Sequence, residues 1–295
     1  MAVTAVLAIA ALAAVMYAQA PAVGDGPMKG KVVLITGSTD GLGREVARRV
    51  AALGAHVIVH GRNQERGTAL VQEIAQAGRG SASFHRADLA SLADVRALAQ
   101  AVLRDHTRLD VLVNNAGIWL NDGTRQVSAD GHELHFAVNY LSGFLLTRML
   151  LPRLRDSAPS RIVNVASGSQ APIDFTDVML TRPGRASRGY GQSKLAQIMF
   201  TVDLAGELKG SNVSVVALHP ATMMDTTMVR QSGMPSRSTV DEGAKAVMNL
   251  ITGQDIESGS YFNGLRPARA HEQAYDPAAL AKLRDLSMTL TALTR

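Results

Sequence analysis

The feature that most constrains this chain is an alternation. Residues 31–36, Lys-Val-Val-Leu-Ile-Thr, form an apolar run too short for a buried helix. The glycine-rich stretch Thr36-Gly37-Ser38-Thr39-Asp40-Gly41-Leu42-Gly43 follows, and apolar residues then recur at helical spacing through Val46, Val50 and Leu53 to Gly54. The pattern repeats downstream. Strands are expected at 56–60, 81–86, 111–114, 161–165 and 213–218, with a last short one at 260–262. Between them helices are expected around 69–75, at 92–103, as one long helix at 132–154, and at 190–208. Short apolar strands separated by helices have one economical solution: a parallel sheet whose crossover helices cover both faces. The expected fold is therefore α/β, a doubly wound parallel sheet of the Rossmann type in three α/β/α layers. It forms a single domain over 28–295, because no linker or repeat array interrupts the alternation.

Residues 2–20 stand apart, uncharged and dominated by Ala, Val, Leu and Ile. They fit a secretory leader cut after Ala18-Gln19-Ala20, a short membrane anchor, or an upstream start with translation beginning at Met28. Lys29 and Lys31, the first positive charges after the run, favour a cytoplasmic body or the cytoplasmic face of a membrane; a cleaved leader would mean export. The absence of cysteine excludes disulfides and thiolate metal sites. A net charge of +5, with no basic run interleaved with aromatics, argues against nucleic-acid binding.

The first strand-turn-helix unit is the kind that holds a dinucleotide. Glycines let the backbone approach a pyrophosphate, and the helix start presents N–H groups and the positive end of its dipole. A second chemical pair lies at Tyr190 and Lys194, one helical turn apart and so on one face. A free phenol, with a pKa near 10, is a poor base at neutrality. At roughly 4 Å and an effective dielectric near 20, a lysine charge contributes of order 4 kcal/mol. About 1.4 kcal/mol moves a pKa by one unit, so that attraction is enough to carry the phenol most of the way to 7 before lysine desolvation is counted. With 5 Tyr in 295 residues the pair is uncommon by chance, yet alone only suggestive.

Taken together, Thr36-Gly-x-x-x-Gly-x-Gly43, Asp88-Leu89, Asn114-Asn-Ala-Gly117, Asn139, Ser167 and Tyr190-x-x-x-Lys194 resemble the short-chain dehydrogenase/reductase family in order and spacing. The stretches 138–147 and 161–167 look most like its retinol-dehydrogenase-like branch, which includes the oxidoreductase domain of WW-domain oxidoreductases. The resemblance implies that Tyr190 is the general acid/base and that Lys194 lowers its pKa and holds the nicotinamide ribose. Ser167 would hydrogen-bond the reacting oxygen, and Asn139 would bend the long helix and place a water in a proton relay. Thr36, Gly37, Ser38, Thr39, Gly41, Leu42, Gly43, Asn115, Ala116, Gly117, Pro220 and Thr222 would bind the cofactor together with Tyr190 and Lys194. Asp88 would meet the adenine amino group beside Leu89.

Cofactor choice turns on the end of the second strand. An acidic residue there would bind the ribose hydroxyls of NAD; this chain has Gly61 and then Arg62, whose guanidinium suits a 2′-phosphate, so NADP(H) is expected over NAD(H). Asp40 is the opposing feature, since NADP-binding members often carry a basic residue there. Ala221 replaces a usual glycine after Pro220, which would be strained if that position required a positive φ. Between Ser167 and Tyr190 lies a long insertion carrying Pro172, Phe175, Val178 and three arginines. Met223, Met224, Met228 and Met234 suit either an adaptable lid or simple packing. A lipophilic alcohol or carbonyl compound is the expected substrate. His132-Glu-Leu-His135 lacks zinc-protease spacing and reads as surface or helix-start chemistry, and no metal is expected. The resemblance implies a homodimer or tetramer through the helices near His132 and Tyr190, unless an N-terminal anchor and the long C-terminal segment block one of those faces. The rival to an enzyme is a catalytically idle NAD(P)-binding sensor or scaffold on the same fold.

Overall fold

The computed structural model describes residues 26–293; the apolar run at 2–20 therefore lies outside the described residues. Among the described residues eight strands make one sheet in the order β3-β2-β1-β4-β5-β6-β7-β8. These are β1 (Val32–Ile35), β2 (His56–Gly61), β3 (Ser81–Arg86), β4 (Val111–Asn114), β5 (Ser160–Val165), β6 (Val213–His219), β7 (Tyr261–Asn263) and β8 (Arg266–Ala268). All pair in parallel except β7 with β8.

The period of two along each strand divides the core. Val33, Ile35, Val57, Val59, Val113, Val163 and Val216 meet α1 (Gly41–Ala52), α2 (Gln64–Ala77) and α7 (Val240–Thr252). The alternate residues Leu34, Ile58, Leu112, Ile162 and Val215 meet α3 (Leu92–Asp105), α4 (Ser142–Asp156), α5 (Gly189–Glu207) and α8 (Pro277–Leu290). Residues that point to both faces must all be apolar, which is why the central strands read as continuous Val/Ile/Leu runs. A short helix, α6 (Thr227–Gln231), precedes α7.

The expected long helix differs at its start. Glu133 is held in a bridge to Val127, and the chain enters a π-helical turn, Phe136–Leu141, before α4 becomes regular. Three further elements complete the C-terminal part: α7, announced by a reciprocal Thr239–Glu242 capping box, α8, started by Asp276 and Pro277, and the edge strand β8, whose Pro267 argues against a strand in sequence alone.

Helix α8 packs on α5. Tyr140 and Ser287 share a hydrogen bond of 2.6 Å, and Arg284 pairs with Asp203 at 2.5 Å. The face expected to meet another subunit is thus occupied in part by the chain's own C-terminal helix. No helix among the described residues is long and apolar enough to cross a membrane.

Candidate active site

Reversal of the strand order at β1 and β4 opens a crevice at their C-terminal ends, where doubly wound sheets bind ligands. Gly37 (φ 65°) and Gly41 (φ 51°) take left-handed conformations there. Asp40 caps α1, its carboxylate accepting from Gly41 N at 2.8 Å. The turn is tied to the next loop. Thr36 Oγ1 accepts from the backbone N–H groups of Asn115 and Ala116, each at 3.0 Å, and Asn115 Nδ2 donates to Thr36 O at 2.8 Å and Gly37 O at 3.3 Å. A Cβ on Gly43 would sit 2.4 Å from Gly37 O, so only glycine allows α1 to close on the turn. Ser38 Oγ donates to Ile35 O at 2.7 Å.

Beneath the turn, His60 is 2% exposed and its Nδ1 accepts from Gly37 N at 3.1 Å. Burial is the main reason its pKa falls to about 4, so the ring is neutral and able to accept.

The end of β2 is more open. A side chain at Gly61 would displace Thr39, whose Oγ1 lies 2.5 Å from the Cβ position, so glycine suits the packing at that point. Arg62 is 72% exposed and 3.9 Å from Asp88, while Arg66 pairs with Asp40 at 3.1 Å. Asp40, the feature that opposed a phosphate here, is thus engaged as the helix cap and in a pair with Arg66. Asp88 Oδ1 accepts from Ala90 N at 3.0 Å, and Leu89 is buried in the core under α3.

Past the ends of β4 and β5 the chemistry-bearing side chains converge. The Ser167 side chain lies beside the Tyr190 phenol, close enough to favour its ionised form, and its Oγ accepts from Ser169 N at 3.1 Å. Lys194 is buried, its Nζ donating to Val165 O and Gln197 Oε1, each at 2.9 Å, and lying 5.8 Å from the centre of the Tyr190 ring. Burial opposes both ions: it raises the phenol above its usual value, offset in part by Ser167, and lowers the lysine to about 7. The phenol therefore stands above its ordinary value rather than being carried down towards 7 by Lys194, because burial outweighs what its neighbours supply. Asn139 sits on the π turn, accepts from Ile118 N at 2.7 Å, and donates to Ile118 O at 3.1 Å and Ser193 Oγ at 2.9 Å. Gly117 completes the floor, since a Cβ there would lie 3.3 Å from Asn139 Oδ1 and 3.4 Å from Lys194 Nζ.

Residues 31–235 match the family model for short chain dehydrogenases. The chain belongs to the short chain dehydrogenase family. Within it, mouse retinol dehydrogenase 14 is 38% identical over 92% of this chain and 88% of its own length. Human retinol dehydrogenase 11 is 35% identical over 90% and 87%. Among solved structures, a protein from Mycobacterium Paratuberculosis aligns over 92% of this chain and 97% of its own at 29% identity and a TM-score of 0.76. A short chain dehydrogenase from Burkholderia cenocepacia J2315 in complex with NADP aligns over 80% and 96% at 27% identity and a TM-score of 0.65. The protein is a retinol-dehydrogenase-like short chain dehydrogenase, an NAD(P)-dependent oxidoreductase acting between alcohols and carbonyls.

This dehydrogenase closes its cleft with the segment after β6. Pro220 is buried, whereas Thr222 is exposed, with Oγ1 2.9 Å from His219 Nε2. Ala221 does not take a positive φ; the left-handed residue is Met223 (φ 51°), so the strain considered at Ala221 falls two residues later. The methionines divide. Met224 packs against the core beside Gly243 and Leu42, and Met234 is 44% exposed. Thr226 folds back towards the first turn, its Cγ2 3.2 Å from the Cβ position of Gly41. In the insertion, Val178 O accepts from Gln192 Nε2 at 2.8 Å, which ties that loop to α5.

Four site residues escape the sequence motifs. The rings of Trp119 and His135 lie 5.9 and 6.3 Å from the Tyr190 ring. Glu133 and His135 are buried at the start of the long helix rather than on the surface. His219 lies near Lys194, and burial and that lysine's charge both lower its pKa. Proximity in sequence to Gly117 was the one available signal for Trp119.

Proposed function

We propose that this short chain dehydrogenase uses NADP(H) in preference to NAD(H) to interconvert an alcohol and a carbonyl on a lipophilic small molecule, with Tyr190 as general acid/base. The observation that carries the reading is the convergence of Ser167 and buried Lys194 on Tyr190, with Lys194 Nζ 5.8 Å from the phenol ring and one turn along the same helix. In the reducing direction Tyr190 gives its proton to the carbonyl oxygen as negative charge develops there, and Ser167 donates a second hydrogen bond to that oxygen. In the oxidising direction the Tyr190 phenolate takes the single proton of the alcohol, while Ser167 keeps its hydrogen bond to that oxygen. When bound, the nicotinamide supplies or accepts the hydride. The raised phenol pKa keeps Tyr190 protonated at neutral pH, the form that donates. Lys194 favours the phenolate that forms, and Asn139 holds Ile118 beside the floor at Gly117.

The left-handed glycines of the first turn and the side-chain-free floor at Gly117 fit a dinucleotide, because a Cβ would occupy the space its backbone contacts require. Exposed Arg62 beside Gly61, which carries no acid, supports the phosphorylated cofactor. Relatives named retinol dehydrogenases and the methionine-bearing segment over the cleft support an apolar substrate. Lys29 and Lys31 after the apolar leader support a catalytic body on the cytoplasmic side, and a mature terminus at Pro21 would overturn that.

Turnover followed by NADPH absorbance against aldehydes, retinoids and steroids tests the assignment. Tyr190→Phe is expected to lower kcat by about a thousandfold or more, with NADPH affinity changed less than about threefold; unchanged turnover would remove Tyr190 from the chemistry. Arg62→Ala is expected to raise the KM for NADPH about tenfold, the worth of one charge-assisted contact, and leave that for NADH nearly unchanged.

A further inference from the structure

Trp119 stands between two pinned residues. On one side Ile118 is held at both its N–H and its carbonyl by Asn139. On the other, Leu120 N donates to His135 Nε2 at 3.0 Å. An imidazole nitrogen that accepts carries no proton, so the proton resides on Nδ1, which then donates to Glu133 Oε1 at 2.8 Å. The same carboxylate accepts from the backbone N–H groups of His135 at 3.1 Å and Phe136 at 2.7 Å, so every oxygen is engaged and the helix start is capped. Glu133 is 2% and His135 4% exposed.

The pair lies directly beneath the start of α5. A Cβ on Gly189 would be 2.7 Å from His135 Nδ1 and 2.8 Å from Glu133 Oε1. One residue on, the Tyr190 ring meets the His135 ring edge-on, at 83° and 6.3 Å, and the Trp119 ring at 45° and 5.9 Å. A cap alone would not need the imidazole. What His135 adds is a bond to a backbone N–H fifteen residues upstream, and that bond fixes where Trp119 stands beside the phenol.

We propose that Glu133 and His135 are positioning residues: the carboxylate fixes the Nδ1–H tautomer of His135, His135 fixes Leu120, and the segment thereby holds Trp119 as an aromatic wall of the substrate cleft against Tyr190. This rests on the reading of Tyr190 as the acid/base. Neither residue touches the reacting atoms. Their effect is on the geometry of the wall, where small displacements of substrate carry large rate penalties.

Trp119 is the single tryptophan of the chain, so intrinsic fluorescence reports on this wall alone. His135→Phe keeps a ring and removes both nitrogens, while His135→Gln retains one acceptor and one donor. In His135→Phe, acrylamide quenching of Trp119 is expected to rise at least about twofold and the substrate KM about tenfold, with NADPH affinity within about twofold of the parent. His135→Gln is expected to restore most of both. A His135→Phe protein with parental quenching and KM, or a Gln variant no better than Phe, would overturn the proposal. Hydrogen exchange of the unaltered protein decides independently of variant folding: the Leu120 amide is expected to be protected at least about a hundredfold relative to its unfolded rate, and free exchange there would also overturn it. Because quenching and exchange need no turnover, they remain readable if Tyr190→Phe proves active, and the two ideas fail separately.

Discussion

The two sides of the cleft are built differently. On the β1/β4 side, Thr36, Ser38, His60 and Asn115 hydrogen-bond one another's loops, most of them buried, and Gly37, Gly43 and Gly61 fit against atoms that leave no space for a Cβ. On the far side, the segment after β6 is held by Ser238 Oγ to Thr222 O at 2.7 Å, by the exposed Arg230–Asp225 pair at 3.3 Å, and by Asn121 Nδ2 to Ser232 O at 3.1 Å. Local opening is least costly where contacts are few and solvent already reaches the bonds. The side of the first turn is therefore the more tightly tied, a template, and the segment after β6 the more exposed, a cover, an arrangement that suits a site whose substrate must enter and leave.

The harshest way to break that contrast is to disturb the template. Gly43→Val would drive a branched side chain into Gly37 O and Asn115 Nδ2, which themselves are tied to other groups. A loss of about 3 kcal/mol of stability, the upper end of the overpacking range, is expected in denaturant unfolding, with NADPH binding lost by titration. If the variant kept its stability and its NADPH affinity, the turn would be far softer than its contacts indicate.

That difference also governs what the sequence could reveal. The template was legible because each close approach demands a particular residue type: glycine where a Cβ cannot fit, a hydroxyl or amide where two loops exchange hydrogen bonds. Tyr190, Lys194 and Ser167 were legible for the same reason, being set by helix spacing and a strand end. Trp119 and the Glu133–His135 pair were not, since their roles arise from contacts between segments that meet only after folding. The direction of the Tyr190 and Lys194 shifts was likewise hidden, because burial of both groups is a property of the packed site. Helix α7 is announced in sequence by Thr239 and Glu242, whereas the face taken by α8 follows only from its packing on α5.

Acid sharpens the comparison with a smaller effect. His60 is neutral in the fold, with a pKa of about 4 against about 6.5 unfolded. Its contribution is complete above pH 6.5 and is lost as pH falls towards 4, because the unfolded chain takes up a proton that the fold refuses. Stability is expected to fall by about 2 kcal/mol between pH 7.5 and pH 5 from this group. His106, also lowered to about 4 by burial first and then by His56 and His85, adds a smaller part because it is more exposed. His60→Asn, which keeps an acceptor near Gly37 and cannot titrate in this range, is expected to flatten the slope of urea-unfolding free energy against pH. An equally steep slope in that variant would assign the acid sensitivity elsewhere.

The smallest effect should come from the cover. Asn121→Ala removes the exposed bond to Ser232 O and with it a tie between the Trp119 segment and the chain beyond α6. An exposed neutral hydrogen bond contributes about 0.5 kcal/mol, the low end of its range, so global stability should move by about that much or less. If the cover opens to release product, loosening it should raise substrate KM and leave kcat equal or slightly higher, since release would no longer be slowed by that tie. A cover that behaved like the template would instead lose kcat and stability together. Measuring both constants and the unfolding midpoint in the same preparation separates the two, and only the first pattern is consistent with a site that is rigid where it holds the cofactor and yielding where the substrate passes.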